Sequence, residues 1–250
     1  MADQLSLTDG DFLAYDAWPG TYPGPGVVFL HGLASDRSGT KAEALADHCR
    51  SKGYGFVRFD MYGHGRSSGR FEDGGPSRWR DDTVSVLDRL TAGPQILVGS
   101  SMGGWVMLLA ALARPARVAA LVGIAPAPDF TEDLMWAQFT PSQRKAIASP
   151  GFIDLPSEYE QPPMRIGRHL VEDGRANGLL AAPIALTCPV RLLHGQQDTS
   201  VPWQRSLTLA ERLTSQDVRT ILVKDGDHRL SRPQDLRLLC DTLDDLMATP

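Results

Sequence analysis

Short runs of apolar, mostly β-branched residues recur along the chain at positions 27–30, 56–59, 96–98, 118–124, 190–193 and 218–223, each of strand length. Between most of them lie stretches of helical character at 40–51, 77–91, 101–114, 203–214 and 233–247, the last opening on Pro233, which suits a first helical turn. This alternation predicts an α/β fold with a mostly parallel central sheet covered by helices on both faces. Ahead of it, Asp9-Gly10 separates two strand-like pieces, which predicts an antiparallel hairpin at the sheet edge.

One segment breaks the rhythm. Residues 126–189 hold nine of the 18 prolines and no convincing strand. Trp136, Phe139, Phe152, Tyr159, Met164 and Leu170 supply apolar anchors that disordered segments lack, so the expected structure is a packed cap inserted in a single domain spanning 1–250. A cap covers the carboxyl ends of strands, where an open α/β sheet places its ligand.

Composition narrows the function. With 42% hydrophobic and 22% charged residues in 250, the chain has enough apolar content to bury a core, which excludes wholesale disorder. The formal charge of −5 leaves no excess of Lys and Arg to hold a polyphosphate backbone, so nucleic acid is not an expected partner. Cys49, Cys188 and Cys240 are odd in number and lack metal-ligand spacing, and read as reduced, buried thiols. The first residues carry an acid where a targeting segment needs a basic run, giving a cytoplasmic expectation. Residues 93–113 are free of charge over 21 positions, yet Pro94, Gln95 and four glycines make strand, turn and helix a better fit than a membrane span. No integral membrane association is expected.

That stretch carries the chemistry. Gly99-Ser100-Ser101-Met102-Gly103 satisfies G-x-S-x-G between a strand and a helix. A nucleophile on so tight a turn tolerates only small neighbours two residues to either side. Ser101 has Gly99 and Gly103 there, whereas Ser100 would have Val98 and Met102, so Ser101 is the candidate nucleophile.

A serine hydroxyl needs a base, and the base needs an orienting acid. His228 follows the last strand and precedes the last helix, and is the candidate base. His31 and His194 each precede a glycine at a strand end and read as packing or hydrogen-bonding residues; His48, His64 and His169 have bland readings too. Asp198, a few residues past the strand at 190–193, is the candidate acid, with Asp129 as runner-up. Asp225 and Asp227 stand too near His228 in sequence to be favoured as the acid, although either could hold its loop. For the oxyanion, the backbone N–H groups of Met102 and of Leu33, after the bend at His31-Gly32, are the candidate donors. Asp60 is expected to brace the glycine loop at 63–65 through its backbone. No His, Asp or Glu cluster has metal-ligand spacing, which makes a metal-dependent hydrolase a poor reading.

Taken together, His31-Gly32, the elbow at 99–103, Asp198 and His228 resemble the α/β-hydrolase family. The likeness extends over residues 28–247 through His31-Gly-Leu-Ala-Ser-Asp-Arg-Ser-Gly-Thr-Lys41, the run from Gly93 through the elbow to Trp105, Arg191-Leu-Leu-His-Gly195, Val201-Pro-Trp203 and Asp227-His-Arg229. These are similar to members that cleave acyl-protein thioesters and acyl glucuronides. The resemblance implies the α/β-hydrolase fold, no cofactor, a small-molecule or acyl-peptide substrate, and a triad of Ser101, Asp198 and His228 cutting an ester or thioester. A carboxylesterase or lipase-like enzyme without thioester preference and a non-catalytic ligand-binding homologue are the competing readings.

Overall fold

In the computed structural model, which describes residues 3–149, 151–155 and 163–248, the expected rhythm builds an eight-stranded sheet. The chain enters through strands β1 (Asp3–Ser6), β2 (Phe12–Trp18) and β3 (Gly26–Leu30), then helix α1 (Thr40–Lys52), β4 (Phe56–Phe59) and α2 (Pro76–Leu90). It continues with β5 (Gln95–Ser100), α3 (Met102–Ala113) and β6 (Val118–Ile124). After a long excursion with α4 (Pro141–Ala148), β7 (Phe152–Leu155), β8 (Met164–Gly167) and α5 (Arg168–Ala176), it returns to the sheet with β9 (Val190–Gly195). Helix α6 (Gln204–Arg212), β10 (Val218–Val223) and α7 (Pro233–Met247) finish it.

The strand order is β1-β2-β4-β3-β5-β6-β9-β10. Strand β2 runs antiparallel to β1 and β4, and every other pairing is parallel. The hairpin therefore sits at the edge, with Ser6 opposite Phe12 and Gly10 at φ +90° in its turn. Side chains alternate across the sheet with period two. Val28 and Leu30 join the core under α2 and α3 with Trp79, Val86, Trp105 and Leu108. Val27 and Phe29 face the opposite core, under α1 and α7, with Leu45, Cys49, Leu239 and Leu243.

Strand β4 lies on one side of β3 and β5 on the other, so the order reverses between β3 and β5. The crevice beyond the carboxyl ends of two such strands is where doubly wound sheets bind ligands. The sequence motifs at His31-Gly32 and at Ser101 leave the sheet at those two ends.

Strands β6 and β9 are neighbours in the sheet, and the residues between them form a separate layer. The expectation of no strand there is corrected: β7 and β8 pair as an antiparallel ribbon, Phe152 opposite Gly167 and Leu155 opposite Met164. Four-residue strands are too short for alternation to stand out from the surrounding text. A single π turn (Thr131–Met135) and a 3₁₀ turn (Trp136–Gln138) precede α4, whose N-terminus is closed by reciprocal Thr140–Gln143 capping. Phe130, Phe139, Ile147, Ile153, Ile166 and Leu170 are buried in the same cluster as α2 and α3, so this layer shares the main core. Tyr159 lies outside the described residues. Of the three cysteines, all free, only Cys49 is buried; Cys188 and Cys240 are half-buried, which corrects the expectation for those two.

Candidate active site

Ser101 occupies the junction of β5 and α3 at φ +54° and ψ −118°, a region that non-glycine residues enter at a cost of about 1–3 kcal/mol. The strain is held on both sides: the Ser101 N–H donates to the Ile124 carbonyl at 2.9 Å, and the Ser101 carbonyl accepts from Gly104 and Ala127 N–H groups. A Cβ on Gly103 would come within 2.3 Å of the Leu30 carbonyl oxygen, and one on Gly99 within 2.4 Å of the Gly103 oxygen. The glycines of the motif are therefore a packing requirement, because the start of α3 lies directly against the end of β3.

His228 sits on the loop between β10 and α7. Its Nε2 is 3.1 Å from Ser101 Oγ and its Nδ1 is 2.6 Å from Asp198 Oδ2. The approach is set by backbone contact: a Cβ on Gly195 would fall 2.2 Å from the Gly226 oxygen, so the loops after β9 and β10 touch. The Asp198 side chain is wholly buried, and its other oxygen accepts the N–H groups of Ser200 and Val201, each at 2.8 Å. Burial alone would raise its pKa. Hydrogen bonds from His194, His228 and the Val201 N–H outweigh that and hold the carboxyl well below the usual carboxylate range.

The runner-up acid has another task. Asp129 accepts the N–H groups of Leu179, at 2.8 and 3.0 Å, and of Leu180, at 2.8 Å, and makes no bond to His228. Asp225 pairs with Arg232 at 2.7 Å, and Asp227 accepts the Arg229 and Leu230 N–H groups, so both hold the loop that carries His228.

Leu33 and Met102 both line the cavity around Ser101. Met102 is the first residue of α3, where a backbone N–H has no carbonyl partner one turn back. The bend that brings Leu33 there is braced from behind. His31 Nδ1–H donates to the Gly32 carbonyl at 2.8 Å while its Nε2 accepts the Met61 N–H at 3.1 Å. His64 Nε2 accepts the Ala34 N–H at 3.3 Å. Burial lowers the pKa of both rings, to about 4 for His31 and about 3 for His64, where the charge of His31 adds to the effect. Asp60 accepts the Arg66 N–H from the glycine loop, as expected, and also the Arg37 N–H and guanidinium, so it ties that loop to the bend.

The cavity over Ser101 has a volume of about 370 Å³. One wall comes from the sheet, through Leu33, Met102, Val201 and His228; the other comes from the layer between β6 and β9, through Phe130, Leu134, Met135, Phe139 and Leu155. Gln138, Gln143 and Ser200 are its neutral polar groups, and among the described residues no Lys, Arg, Asp or Glu lines it. Two residues that bear on the site were read as bland or not singled out: His194, whose Nε2 touches Asp198, and Arg205, which joins the two walls. The i, i+4 spacing of His194 and Asp198 was the available signal for the first; nothing local signals the second.

Residues 27–237 match the α/β hydrolase family. The chain belongs to that family. Its mostly parallel sheet flanked by helices is the fold of that family, and the chain is a hydrolase. Among its relatives are proteins named palmitoyl-protein thioesterase ABHD10, mitochondrial: the mouse protein is 46% identical over 89% of this chain and 75% of its own length. The human one is 42% identical over 97% of this chain and 79% of its own length. The solved structure of mouse α/β hydrolase domain-containing protein 10 superposes with a TM-score of 0.88 at 43% identity, covering 98% of each chain. A putative hydrolase from Agrobacterium vitis superposes at 0.93 with 41% identity, covering 99% of this chain and 98% of that one. The cytoplasmic expectation is overturned by the relatives named palmitoyl-protein thioesterase ABHD10, whose names place those proteins in mitochondria. It rested on the charge of a few residues, a local signal that does not decide a destination.

Proposed function

We propose that this hydrolase is a serine enzyme that cleaves carboxylic esters and thioesters of neutral acyl groups through an acyl-enzyme on Ser101. The observation that carries the reading is the continuous line from Ser101 Oγ to His228 Nε2 at 3.1 Å and from His228 Nδ1 to Asp198 Oδ2 at 2.6 Å, opening on a cavity that no Lys, Arg, Asp or Glu lines among the described residues. Ser101 Oγ attacks the acyl carbonyl as His228 Nε2 takes its proton, and the carbonyl oxygen becomes an oxyanion bonded by the Leu33 and Met102 N–H groups. Collapse breaks the bond to the alcohol or thiol, which leaves with the proton from His228. Water then repeats the sequence on the acyl-Ser101 ester and restores the hydroxyl. Asp198 holds the imidazole with Nε2 toward Ser101 and offsets the charge of the imidazolium.

The thioester side draws support from relatives named as palmitoyl-protein thioesterases, and the layer between β6 and β9 supplies the apolar wall of the acyl pocket facing Ser101. With no cation in the lining among the described residues, acyl shape selects the substrate and the phosphates of coenzyme A are not recognised. A fluorophosphonate should add one label per chain to the wild type and to Ser100→Ala, and none to Ser101→Ala, read by intact mass. Labelling of the Ser101→Ala chain would refute the nucleophile. kcat/KM for one medium-chain acyl group on a phenol, an alkyl thiol, a cysteine peptide and coenzyme A should be comparable on the first three; turnover of the coenzyme A thioester alone would overturn the substrate reading.

A further inference from the structure

Behind the acid stands a second histidine that the proposed chemistry does not use. His194 closes β9, is fully buried, and directs Nε2 at Asp198 Oδ2, 3.1 Å away, and at the Val201 carbonyl, 3.0 Å away. Both neighbours only accept, so Nε2 carries the hydrogen. On the other side Nδ1 is 2.7 Å from the hydroxyl of Ser206, itself fully buried in α6. One carboxylate oxygen is thus shared by two imidazoles, His228 at 2.6 Å from the solvent side and His194 from the protein side.

We infer that His194 is a positioning residue for Asp198, held by Ser206, whose N–H sets both the direction and the proton affinity of the carboxylate that His228 feels. The inference rests on the reading of Ser101, His228 and Asp198 as a triad. The groups facing these atoms are few. Asp198 meets His194, His228 and the N–H groups of Ser200 and Val201; His194 meets Asp198, Val201 and Ser206; His228 meets Asp198 and Ser101. Asp227, beside His228 in the chain, accepts the Arg229 and Leu230 N–H groups through Oδ1 and acts on the charge of Lys41, whose ammonium donates to the Arg229 carbonyl. Removing the His194 donor leaves the Asp198 charge less compensated, and the imidazolium of His228 is then held more tightly. Catalysis needs the neutral ring, so the acid limb of the kcat/KM profile moves to higher pH.

The test compares His194→Phe, which keeps the ring volume and removes the donor, with His194→Gln, whose Nε2 reaches the same place. His194→Phe is expected to move the acid limb up by about half a pH unit and to lower kcat about tenfold at unchanged KM. The far-downfield proton resonance of the His228–Asp198 bond should move with it. His194→Gln is expected to return limb and resonance toward the wild type. Should the phenylalanine chain fail to fold, Ser206→Ala is expected to move the limb the same way by less. An unshifted limb and resonance in folded His194→Phe, or in Ser206→Ala where the former does not fold, would leave His194 a packing residue and refute the inference. Failure of the triad itself would be seen separately, as full activity in Asp198→Asn.

Discussion

Strands β6 and β9 lie side by side, and each is followed by a loop that presents an aspartate, Asp129 after the first and Asp198 after the second. The two carboxylates are similarly placed along the chain relative to their strands, yet they meet opposite surroundings. Asp198 receives two imidazoles and two N–H groups, and its pKa is lowered despite burial. Asp129, at φ +60°, accepts the N–H groups of Leu179 and Leu180, and burial prevails over those bonds, raising its pKa. Position after a strand therefore offers an acid to the site, and the donors that fold around it decide whether it is held against His228 or against the scaffold.

The contrast breaks most visibly under amide substitution. Asp198→Asn is expected to cut kcat/KM by about a thousand- to ten-thousandfold with the fold retained, because the amide no longer holds the correct tautomer of His228. Asp129→Asn is expected to leave kcat within about threefold while lowering the unfolding free energy by about 1–3 kcal/mol, through N–H groups left facing an amide. Steady-state kinetics beside thermal melting reads both, and a larger loss of kcat in the second variant would reverse the assignment.

A subtler break is available where the two loops are tied. Arg205, in the helix after the Asp198 loop, donates to the Pro128 carbonyl at 2.7 Å and pairs with Asp133 at 3.1 Å. Arg205→Met is expected to raise KM about three- to tenfold with kcat nearly unchanged, since the cap wall shifts while the triad stays. A fall in kcat with constant KM would mean that the tie acts on the acid.

The smallest expected effect is in the acid dependence of stability. Asp198, depressed below its ordinary value of 3.8, contributes stability that is present above that pH and lost as pH falls through its folded pKa. Asp129, raised above 3.8, contributes stability that is full below that pH and lost as pH rises through its folded value. Urea midpoints between pH 5 and 3 should therefore fall less steeply toward acid in Asp198→Asn than in the wild type, and more steeply in Asp129→Asn. Equal slopes in all three would remove the electrostatic distinction. His31 and His64, lowered to about 4 and about 3 from 6.5, add a common loss in every variant as pH falls through that window.

Much of this was legible one residue at a time. The strand at β5, the two glycines flanking Ser101 and the bend at Gly32 are local features, and their conformations follow from sterics within a few residues. The order Ser101, Asp198, His228 likewise follows from strand ends that an alternating chain must place on one edge of a parallel sheet. What stayed hidden depends on contacts between distant segments. The ribbon of β7 and β8 is too short to carry a period, and the bland reading of His194 changes only when β9 closes its turn onto Asp198.

The sequence by itself determined the class of fold and offered Ser101, Asp198 and His228 as candidates, because a strained turn admits few residue types and an alternating pattern admits few topologies. Tertiary structure alone decided what surrounds each aspartate, which wall closes the cavity, and that a second imidazole stands behind the first. Those outcomes depend on where side chains point once loops after β6, β9 and β10 are pressed together, and a hydrogen bond of 2.6 Å between residues 30 apart leaves no periodic trace in the chain.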